Sequence, residues 1–558
     1  MPRTTRPALR WWLGLLSVVA VTRPAAGQAT YTWQSSPDTL WFNAANWAGG
    51  PPGTAPGVTT AGLPTDGTAT DVARFSSFPQ GASNGVAIAF AAVGGRLALG
   101  AIQFDDNLGG LTIGNSSAAA GTLRLNGATV GGVSNVLIAN TSLNYSSYAI
   151  SPLPNGGTGG PGLALELGTA DGVFLTVSST LHINVPITEA APGYGFSVRG
   201  GYTVALRGSN TFSGPVRVLG SVLNINADDR LGQVPAAATA GRLVLEPAGG
   251  FHSVLDTNAA TFEIHANRGI AIGPTTGTGA AEIHVPDPDV PGYTPVVTYN
   301  GVIDDNGSGS GRLIKTGGGV LVLGGANAYG GGTTIDKGTV LVTNATGSGT
   351  GTAGVTVNAG GTLGGTGRVA PQPSFTAVPT LLNGGTLQAG GTGTAAPTRT
   401  DVLSITQQLK FDGAATLRTT VGQSGGVASA GKIDLAAGDG QLARDTGGAT
   451  ADRLTIRLTN DGTLDLSGNT SYTVTVLNYH TLDTGSLSEF TNQTNPAYFA
   501  VAADNFTLAG DPLVSLSGGD LSVTFTPVPE PGAVLAVAAG GLALALRRPG
   551  RRRADAVG

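Results

Sequence analysis

Residues 319–342 read GVLVLGGANAYGGGTTIDKGTVLV, and residues 202–225 read YTVALRGSNTFSGPVRVLGSVLNI. A repeated unit of this size cannot bury its apolar side alone, so neighbouring units must cover it. The repeat therefore predicts a solenoid of stacked coils. The two stretches align without a gap and share these positions: Leu206 with Leu323, Asn210 with Asn327, Phe212 with Tyr329, Gly214 with Gly331, Val218 with Ile335 and Leu223 with Val340.

Short strand patterns occur along most of the chain. Segments such as 121–127, 163–167, 172–177 and 354–358 alternate or cluster apolar residues between Gly, Asn, Asp or Pro. Glycine accounts for 90 and proline for 32 of the 558 residues. Because glycine destabilises a helix interior by about 1 kcal/mol relative to alanine, this composition favours an all-β fold with many turns.

The second copy of the repeat, within residues 311–342, resembles the autotransporter-associated β-strand repeat, with Ala328 where that family usually has threonine. The first copy, within residues 200–225, departs further, because it lacks the Lys-Thr-Gly lead and has Pro215-Val216 in place of a Gly-Thr step. The resemblance implies a right-handed parallel β-helix. Weaker versions of the pattern on both sides lead us to expect this helix over about residues 85–400.

Residues 30–84 differ from the repeats, because Trp33, Trp41 and Trp47 lie among asparagines and Gly-Pro turns. The open end of a solenoid needs covering, and indole rings bury a large area. We therefore expect an N-terminal cap. The alternative is a glycan-stacking surface formed by the same three tryptophans, since exposed indole rings suit the faces of sugars.

Residues 401–526 contain longer and better alternating strand patterns, among them 453–458, 472–477 and 521–525. Phe490, Tyr498, Phe499 and Phe506 add aromatic bulk to this region. We interpret it as the last coils together with a β-rich C-terminal cap.

The C-terminal segment 527–558 has three features in a fixed order. An uncharged apolar run of 15 residues, 532–546, is about 22 Å long as a helix, against a hydrocarbon core of about 30 Å. Arginine side chains that extend toward the headgroups compensate for the difference, so we expect a transmembrane helix with a cytoplasmic arginine cluster. The alternative is a buried helix with a basic tail. The flanking residues are Val528, Pro529, Glu530 and Pro531 before the run, and Arg547, Arg548, Arg551, Arg552 and Arg553 after it.

This segment resembles the PEP-CTERM sorting signal of Gram-negative bacteria. In that family a membrane-embedded exosortase recognises the tag, is thought to remove it, and passes the protein to the surface or the extracellular matrix. The resemblance implies an exosortase-type enzyme and the membrane as transient partners, with an inner-membrane intermediate. The residue order by itself predicts only a membrane stop.

Residues 1–29 have the layout of a secretory signal peptide. Basic residues precede the apolar stretch 11–21, and small residues follow it. We expect cleavage after Ala29, with a site near Gly27 as the main alternative. The residues concerned are Arg3, Arg6 and Arg10 on the basic side and Ala25, Ala26, Gly27 and Ala29 on the small-residue side.

The sequence offers little for catalysis. A net charge of −5 argues against a nucleic-acid partner, and the absence of cysteine excludes disulfides and thiolate chemistry. The five histidines are isolated in sequence, with no zinc-type pair. Four acidic pairs could ligate calcium or act as paired carboxylates, but each lies near turn-forming residues, where aspartate is common. These pairs are Asp105-Asp106, Asp228-Asp229, Asp287 with Asp289, and Asp304-Asp305.

We therefore predict an exported cell-surface or extracellular-matrix protein with a structural or adhesive role, without enzymatic activity, cofactor or metal. Its working surface would be the long side walls, with rows of Thr, Ser and Asn facing solvent. The alternatives are a polysaccharide lyase or hydrolase on a β-helix scaffold and a carbohydrate-binding surface protein. Extracellular polysaccharide is then a candidate partner.

Overall fold

The computed structural model describes residues 28–34, 41–49, 56, 70–76, 85–90, 95–105, 111–115, 120–141, 148–151, 162–287, 291–370, 379–435, 440–444, 453–467, 470–482 and 499–528. Over these ranges the regular secondary structure consists of β-strands and two short 3-10 helices, Ala44–Asn46 and Asp228–Leu231. This confirms the all-β prediction.

Most strands pair in parallel with strands one coil earlier and one coil later, as in a parallel β-helix. A typical coil contributes one strand to each of three walls, which we call faces 1, 2 and 3. Face 2 is one sheet of 15 strands that runs the length of the stack. Faces 1 and 3 each consist of two successive sheets, called 1a and 1b, and 3a and 3b.

The strand bounds on each face are as follows. Sheet 1a contains Thr30–Trp33, Trp47–Ala48, Val72–Phe75, Ala101–Phe104, Ala128–Val130, Val133–Asn140, Asp171–Thr176, Gly195–Arg199, Val216–Leu219, Thr239–Glu246, Arg268–Ile272 and Ile303–Asp305. Sheet 1b contains Arg368–Val369, Val402–Ile405, Lys432–Asp434, Tyr472–Asn478, Leu513–Ser517 and Asp520–Phe525. Face 2 contains Gly85–Ile88, Leu111–Asn115, Tyr148–Ile150, Leu181–Ile183, Thr203–Leu206, Val222–Asn224, Ser253–Asp256, Thr278–His284, Ser310–Thr316, Thr333–Ile335, Val355–Asn358, Thr380–Asn383, Leu409–Asp412, Gln441–Arg444 and Thr481–Leu482.

Face 3 begins with sheet 3a, which contains Arg96–Leu99, Gly121–Leu125, Leu163–Leu167 and Ile187–Glu189. Sheet 3b contains Phe262–Ile264, Val296–Tyr299, Val320–Leu323, Gly338–Val342, Gly361–Gly365, Thr386–Gln388, Thr416–Ser424, Val427–Ala430, Leu454–Asn460 and Phe499–Ala503. A separate antiparallel pair joins Thr507–Leu508 to Pro527–Val528.

The interior is one continuous hydrophobic cluster that extends from Tyr31 to Phe525. Strands alternate between buried and outward residues, as the pleat requires. Aromatic rings stack from coil to coil near the N-terminal end, where Phe75 and Phe104 lie 5.9 Å apart and Phe104 and Tyr148 lie 4.7 Å apart. Every apolar position shared by the two repeat copies is buried. The prediction that these positions face inward is confirmed.

The parallel stack begins earlier and ends later than the predicted limits of 85 and 400. Strand Val72–Phe75 already pairs in parallel with Ala101–Phe104, because Val72, Ala73 and Phe75 supply buried side chains. At the other end, Leu454–Asn460 pairs in parallel with Phe499–Ala503. An antiparallel hairpin joins Thr416–Ser424 to Val427–Ala430, and a terminal antiparallel sheet forms where Tyr472–Asn478 meets Asp520–Phe525. Residues 401–526 therefore combine coils and a terminal antiparallel sheet.

The predicted targeting segments fall almost entirely outside the described ranges. The structure does not describe residues 1–27 of the predicted signal peptide or any part of the apolar run 532–546. Within the described ranges, no helix has the length and apolar character needed to cross a bilayer.

Candidate functional site

The asparagine shared by the two repeat copies takes the place of a wall strand. In the second copy, the Ile303 N–H donates to Asn327 Oδ1 at 2.8 Å, and Asn327 Nδ2 donates to the Gly349 carbonyl at 2.6 Å. The side chain thus accepts from the coil before it and donates to the coil after it. Asn327 is only 4% exposed, so this carboxamide continues the interstrand hydrogen-bond ladder inside the wall.

Asn210 does the same in the first copy. Its Oδ1 accepts from the Ile187 N–H at 2.8 Å, and its Nδ2 donates to the Arg230 carbonyl at 2.6 Å. The sequence predicted only a turn at these asparagines. The bridging role was missed because the partners lie 20 to 24 residues away in sequence.

The aromatic and glycine positions of the repeat are also equivalent. Phe212 and Tyr329 are both fully buried. The Gly214 N–H donates to Tyr194 O at 2.9 Å, and the Gly331 N–H donates to Gly311 O at 2.9 Å. A Cβ on either glycine would lie less than 3 Å from backbone of the preceding coil. Both positions therefore require glycine because the coils approach so closely.

The Lys-Thr-Gly lead of the second copy includes a lysine that points inward. Lys315 is fully buried, and its Nζ donates to the carbonyls of Thr316 and Gly317 at 2.7 Å and to that of Lys337 at 3.2 Å. Burial lowers the pKa of Lys315 to about 7. The ammonium group ties together three carbonyls at the corner between faces 2 and 3, which is a structural role.

One acidic pair predicted from sequence holds a buried arginine. Asp228 receives hydrogen bonds from Arg268 Nε at 2.8 Å and Nη2 at 3.1 Å, and the Arg268 side chain is 1% exposed. Arg268 also donates to the carbonyls of Leu231, Gly232 and Gln233. Asp228 is therefore a structural counter-ion, and it is also the first residue of the 3-10 turn Asp228–Leu231.

The remaining acidic candidates are held by separate partners. Asp305 accepts from the N–H groups of Gly311 at 2.6 Å and Gly330 at 3.0 Å, and Asp304 Oδ1 accepts from the Asp305 N–H at 2.8 Å. Within the described residues, no group of three or more histidine, aspartate or glutamate side chains is arranged to hold a metal ion. Asp229 accepts hydrogen bonds from Ser209 and Arg230, and Asp105 accepts one from Arg74. A hydrogen bond from Lys337 lowers the pKa of Asp287. Asp106 and Asp289 lie outside the described residues.

The three N-terminal tryptophans lie inside the end of the stack. Trp33, Trp41 and Trp47 are at most 7% exposed. Trp47 contacts Trp33 and Trp41 at ring-centroid distances of 4.9 and 5.0 Å, and Phe75 lies 5.4 Å from it. The Trp41 N–H donates to Ala87 O in the first strand of face 2. This packing covers the first coil and leaves no indole face open for a sugar, contrary to the glycan-stacking alternative.

Two rows of polar side chains run along the outer walls. On face 2, Asn383 donates to Asn358 at 3.0 Å, and Asn358 donates to Asp336 at 2.6 Å. On face 3, threonines occupy one outward position on five successive strands, and all of them are half-buried. We call these residues the threonine column: Thr339, Thr362, Thr386, Thr416 and Thr455.

The predicted sorting signal is described at its first residue alone. Val528 belongs to strand Pro527–Val528 and pairs antiparallel with Thr507. The other residues of the signal lie outside the described ranges: Pro529, Glu530, Pro531, Arg547, Arg548, Arg551, Arg552 and Arg553.

A family model described as passenger-associated-transport-repeat matches residues 313–342. The matched stretch contains Lys315 and Asn327, whose side chains bond the next coil, and the buried Tyr329. No curated protein matches the chain. The chain is thus similar to this autotransporter-associated repeat over the second copy, as the sequence predicted, and the match does not extend to the first copy.

Proposed function

We propose that the protein is exported and serves at the cell surface or in the extracellular matrix as a structural or adhesive rod without enzymatic activity. The observation that carries this proposal is the match to a passenger-associated repeat at residues 313–342. Such a repeat is associated with secreted passengers. The right-handed sense of the β-helix is part of the proposal, because the resemblance implies it.

The distribution of polar groups supports a structural role. The distinctive side chains of the repeat are occupied in bonds between coils: Asn210, Asn327 and Lys315 all bond buried backbone. What remains accessible is mainly the walls, including the threonine column and the asparagine row on face 2. Regular outward rows on a long rod present many identical weak contacts, which suits matrix assembly or adhesion.

We further propose the route by which this rod reaches the surface. Residues 1–29 would direct export, and residues 527–558 would halt the chain in the inner membrane until an exosortase-type enzyme processes it. The supporting features are the order Val528 to Pro531, the apolar run 532–546 and the five following arginines. The partners would be the membrane, that enzyme and, outside the cell, polysaccharide, with no nucleic acid.

Fractionation and mass spectrometry of the protein from its native host test the route. The wild-type chain should reach the surface or medium and lack the arginine-rich tail. A variant with Pro529, Glu530 and Pro531 changed to alanine should stay in the inner membrane with its tail intact. Changing Asp511, Pro512 and Leu513 to alanine is the matched control, and it should leave sorting unchanged. Cytoplasmic retention of the wild type would refute export, and release of the alanine variant would refute recognition of the tag.

The absence of enzymatic activity needs its own assay. Parallel β-helices include enzymes that cleave polysaccharides, so the purified protein should be incubated with acidic and neutral polysaccharides, with and without calcium. We expect no change in reducing ends or unsaturated products. Turnover above that of a heat-denatured sample would overturn the structural role.

A further inference from the structure

Phe251 projects into solvent from a tight hairpin between faces 1 and 2. It is 61% exposed, the largest exposure of any aromatic side chain among the described residues. The backbones of Ala248 and Phe251 exchange two hydrogen bonds, of 3.0 and 3.1 Å. Gly249 and Gly250 between them have φ of +60° and +82°, as a type I′ turn requires. The hairpin thus fixes Phe251 in an outward position.

Phe251 separates two clefts. One cleft, of about 600 Å³, has a floor made largely of glycine backbone, and the Phe251 ring lies 3.8 to 4.0 Å from where a Cβ on Gly201 would be. The other, of about 720 Å³, carries hydroxyl groups of Thr276, Thr278 and Ser310. A ring flanked on both sides by room for a chain is suited to stack against one unit of a linear ligand.

The charges around Phe251 are mostly positive. Arg199 lines the first cleft, and Arg312 lines the second. Both arginines are exposed, and within the described part of the chain neither forms an ion pair, although ten ion pairs occur elsewhere. The one acidic side chain in either lining is Glu246, which accepts a hydrogen bond from Asn306 at 3.2 Å.

We propose that this corner binds a carboxylated polysaccharide, with Phe251 stacked on a sugar ring and Arg199 and Arg312 bound to carboxylates on either side. The ring supplies an apolar face of the right size for a pyranose, and guanidinium groups bind carboxylates in a bidentate manner. The inference rests on the proposed export, because such polysaccharides lie outside the cell. The buried tryptophans play no part in this site.

Affinity electrophoresis of the purified full chain in gels containing alginate or polygalacturonate tests the proposal. Dextran is the uncharged sugar control, and polyglutamate is the carboxylate control without sugar. We expect retardation by the two carboxylated polysaccharides and no comparable retardation by either control. Phe251→Ala should weaken binding about tenfold, since a stacked aromatic contact contributes roughly that factor. Arg199→Gln with Arg312→Gln should weaken it at least tenfold and reduce its salt dependence.

Two matched variants separate this site from general surface effects. Tyr293→Ala removes another exposed aromatic ring. Arg217→Gln removes an exposed arginine of face 1 that lines neither cleft and has no ion-pair partner among the residues that the structure describes. Both should bind within about twofold of wild type. Circular dichroism and thermal unfolding should be the same for all variants, because the substituted residues are exposed.

Several results would overturn the proposal: no retardation by carboxylated polysaccharide, equal retardation by polyglutamate, or equal weakening in the matched variants. Dissociation of an oligomer by Phe251→Ala, seen in sedimentation, would instead make Phe251 a contact between copies of this chain. Because the binding assay uses purified protein, its failure leaves the fractionation test of export unaffected, and the reverse also holds.

Discussion

Replacing Asn327 by leucine should weaken the stack at one defined place. Leucine has a similar volume and no hydrogen-bonding group, so the Ile303 N–H and the Gly349 carbonyl lose the partners they have at 2.8 and 2.6 Å. Each buried backbone group left without a partner costs about 1–3 kcal/mol. We expect the free energy of local opening around these two coils to fall by about 2–4 kcal/mol, the lower half of the sum, because some water will reach the groups.

Hydrogen exchange measured by mass spectrometry is the appropriate assay, because long repeat arrays need not unfold in one step. A loss of about 2 kcal/mol corresponds to roughly thirtyfold faster exchange at the Ile303 amide. Asn210→Leu should have the same effect at the Ile187 amide, since that N–H donates to Asn210. Asn383→Leu is the control, because the Asn383 side chain is exposed and, within the described ranges, bonds the Asn358 side chain alone.

The reasoning would be refuted if Asn327→Leu left exchange at the Ile303 amide unchanged, or if the Asn383 control had an equal effect. It would also be refuted if Asn327→Leu and Asn210→Leu behaved differently, because the two asparagines make the same pair of bonds. A general acceleration throughout the chain would show that the asparagine acts on global stability and not on one rung of the ladder.

Three further predictions concern other buried groups. Burial lowers the pKa of Lys315 from 10.5 to about 7, so between these pH values the unfolded chain binds more protons than the folded chain. The free energy of unfolding of the wild type should therefore rise relative to that of Lys315→Met by up to about 1.4 kcal/mol per pH unit above pH 7. Unfolding midpoints of the two proteins that stay parallel from pH 7 to 9.5 would contradict this. Asp228→Asn should lower the free energy of unfolding, measured by thermal unfolding, by about 2–3 kcal/mol, because Arg268 loses its counter-ion. Adding Arg268→Met should recover part of this loss, and additive effects of the two substitutions would show that the two side chains are not coupled. Trp41→Ala should open the N-terminal end, seen as faster proteolysis near residues 28–49 and an apparent loss of about 3–5 kcal/mol there, without change in polysaccharide binding.

The interior of the fold could be predicted from the sequence because inward positions recur. Leu206, Phe212, Val218 and Leu223 follow the pleat and the turn, and all four are buried. Successive side chains of a strand point to opposite sides of the wall, so the alternation of apolar and polar residues separates inside from outside. The family match at residues 313–342 rests on the same regularity.

The polar interior could not be predicted in this way. Lysine and arginine are almost never fully buried, so pattern analysis places Lys315 and Arg268 outside. What brings them inside includes carbonyls from other turns, that of Lys337 for Lys315 and those of residues 231–233 for Arg268. Arg268 also has a carboxylate partner 40 residues earlier. Such partners become neighbours only once the coils are stacked, and the sequence gives no register for them. The Phe251 corner was missed for the same reason, because its two arginines meet it from different coils.

The two repeat copies lie on different walls, which explains what the motif does. In the first copy Asn210 stands where face 3 lacks a strand, and in the second Asn327 stands where face 1 lacks one. Sheet 3a gives way to 3b after the first copy, and sheet 1a gives way to 1b after the second. Face 2 continues through both. The motif is therefore independent of the wall on which it occurs.

A side-chain amide has one acceptor and two donors on a short arm, so it can replace a single rung of a β-ladder without a whole strand. On face 2, Val204 pairs with Leu223 and Lys315 pairs with Ile335, and no strand of the omitted wall lies between the members of either pair. The asparagine thus marks a coil that omits one wall, and the count of strands before it determines which wall is omitted.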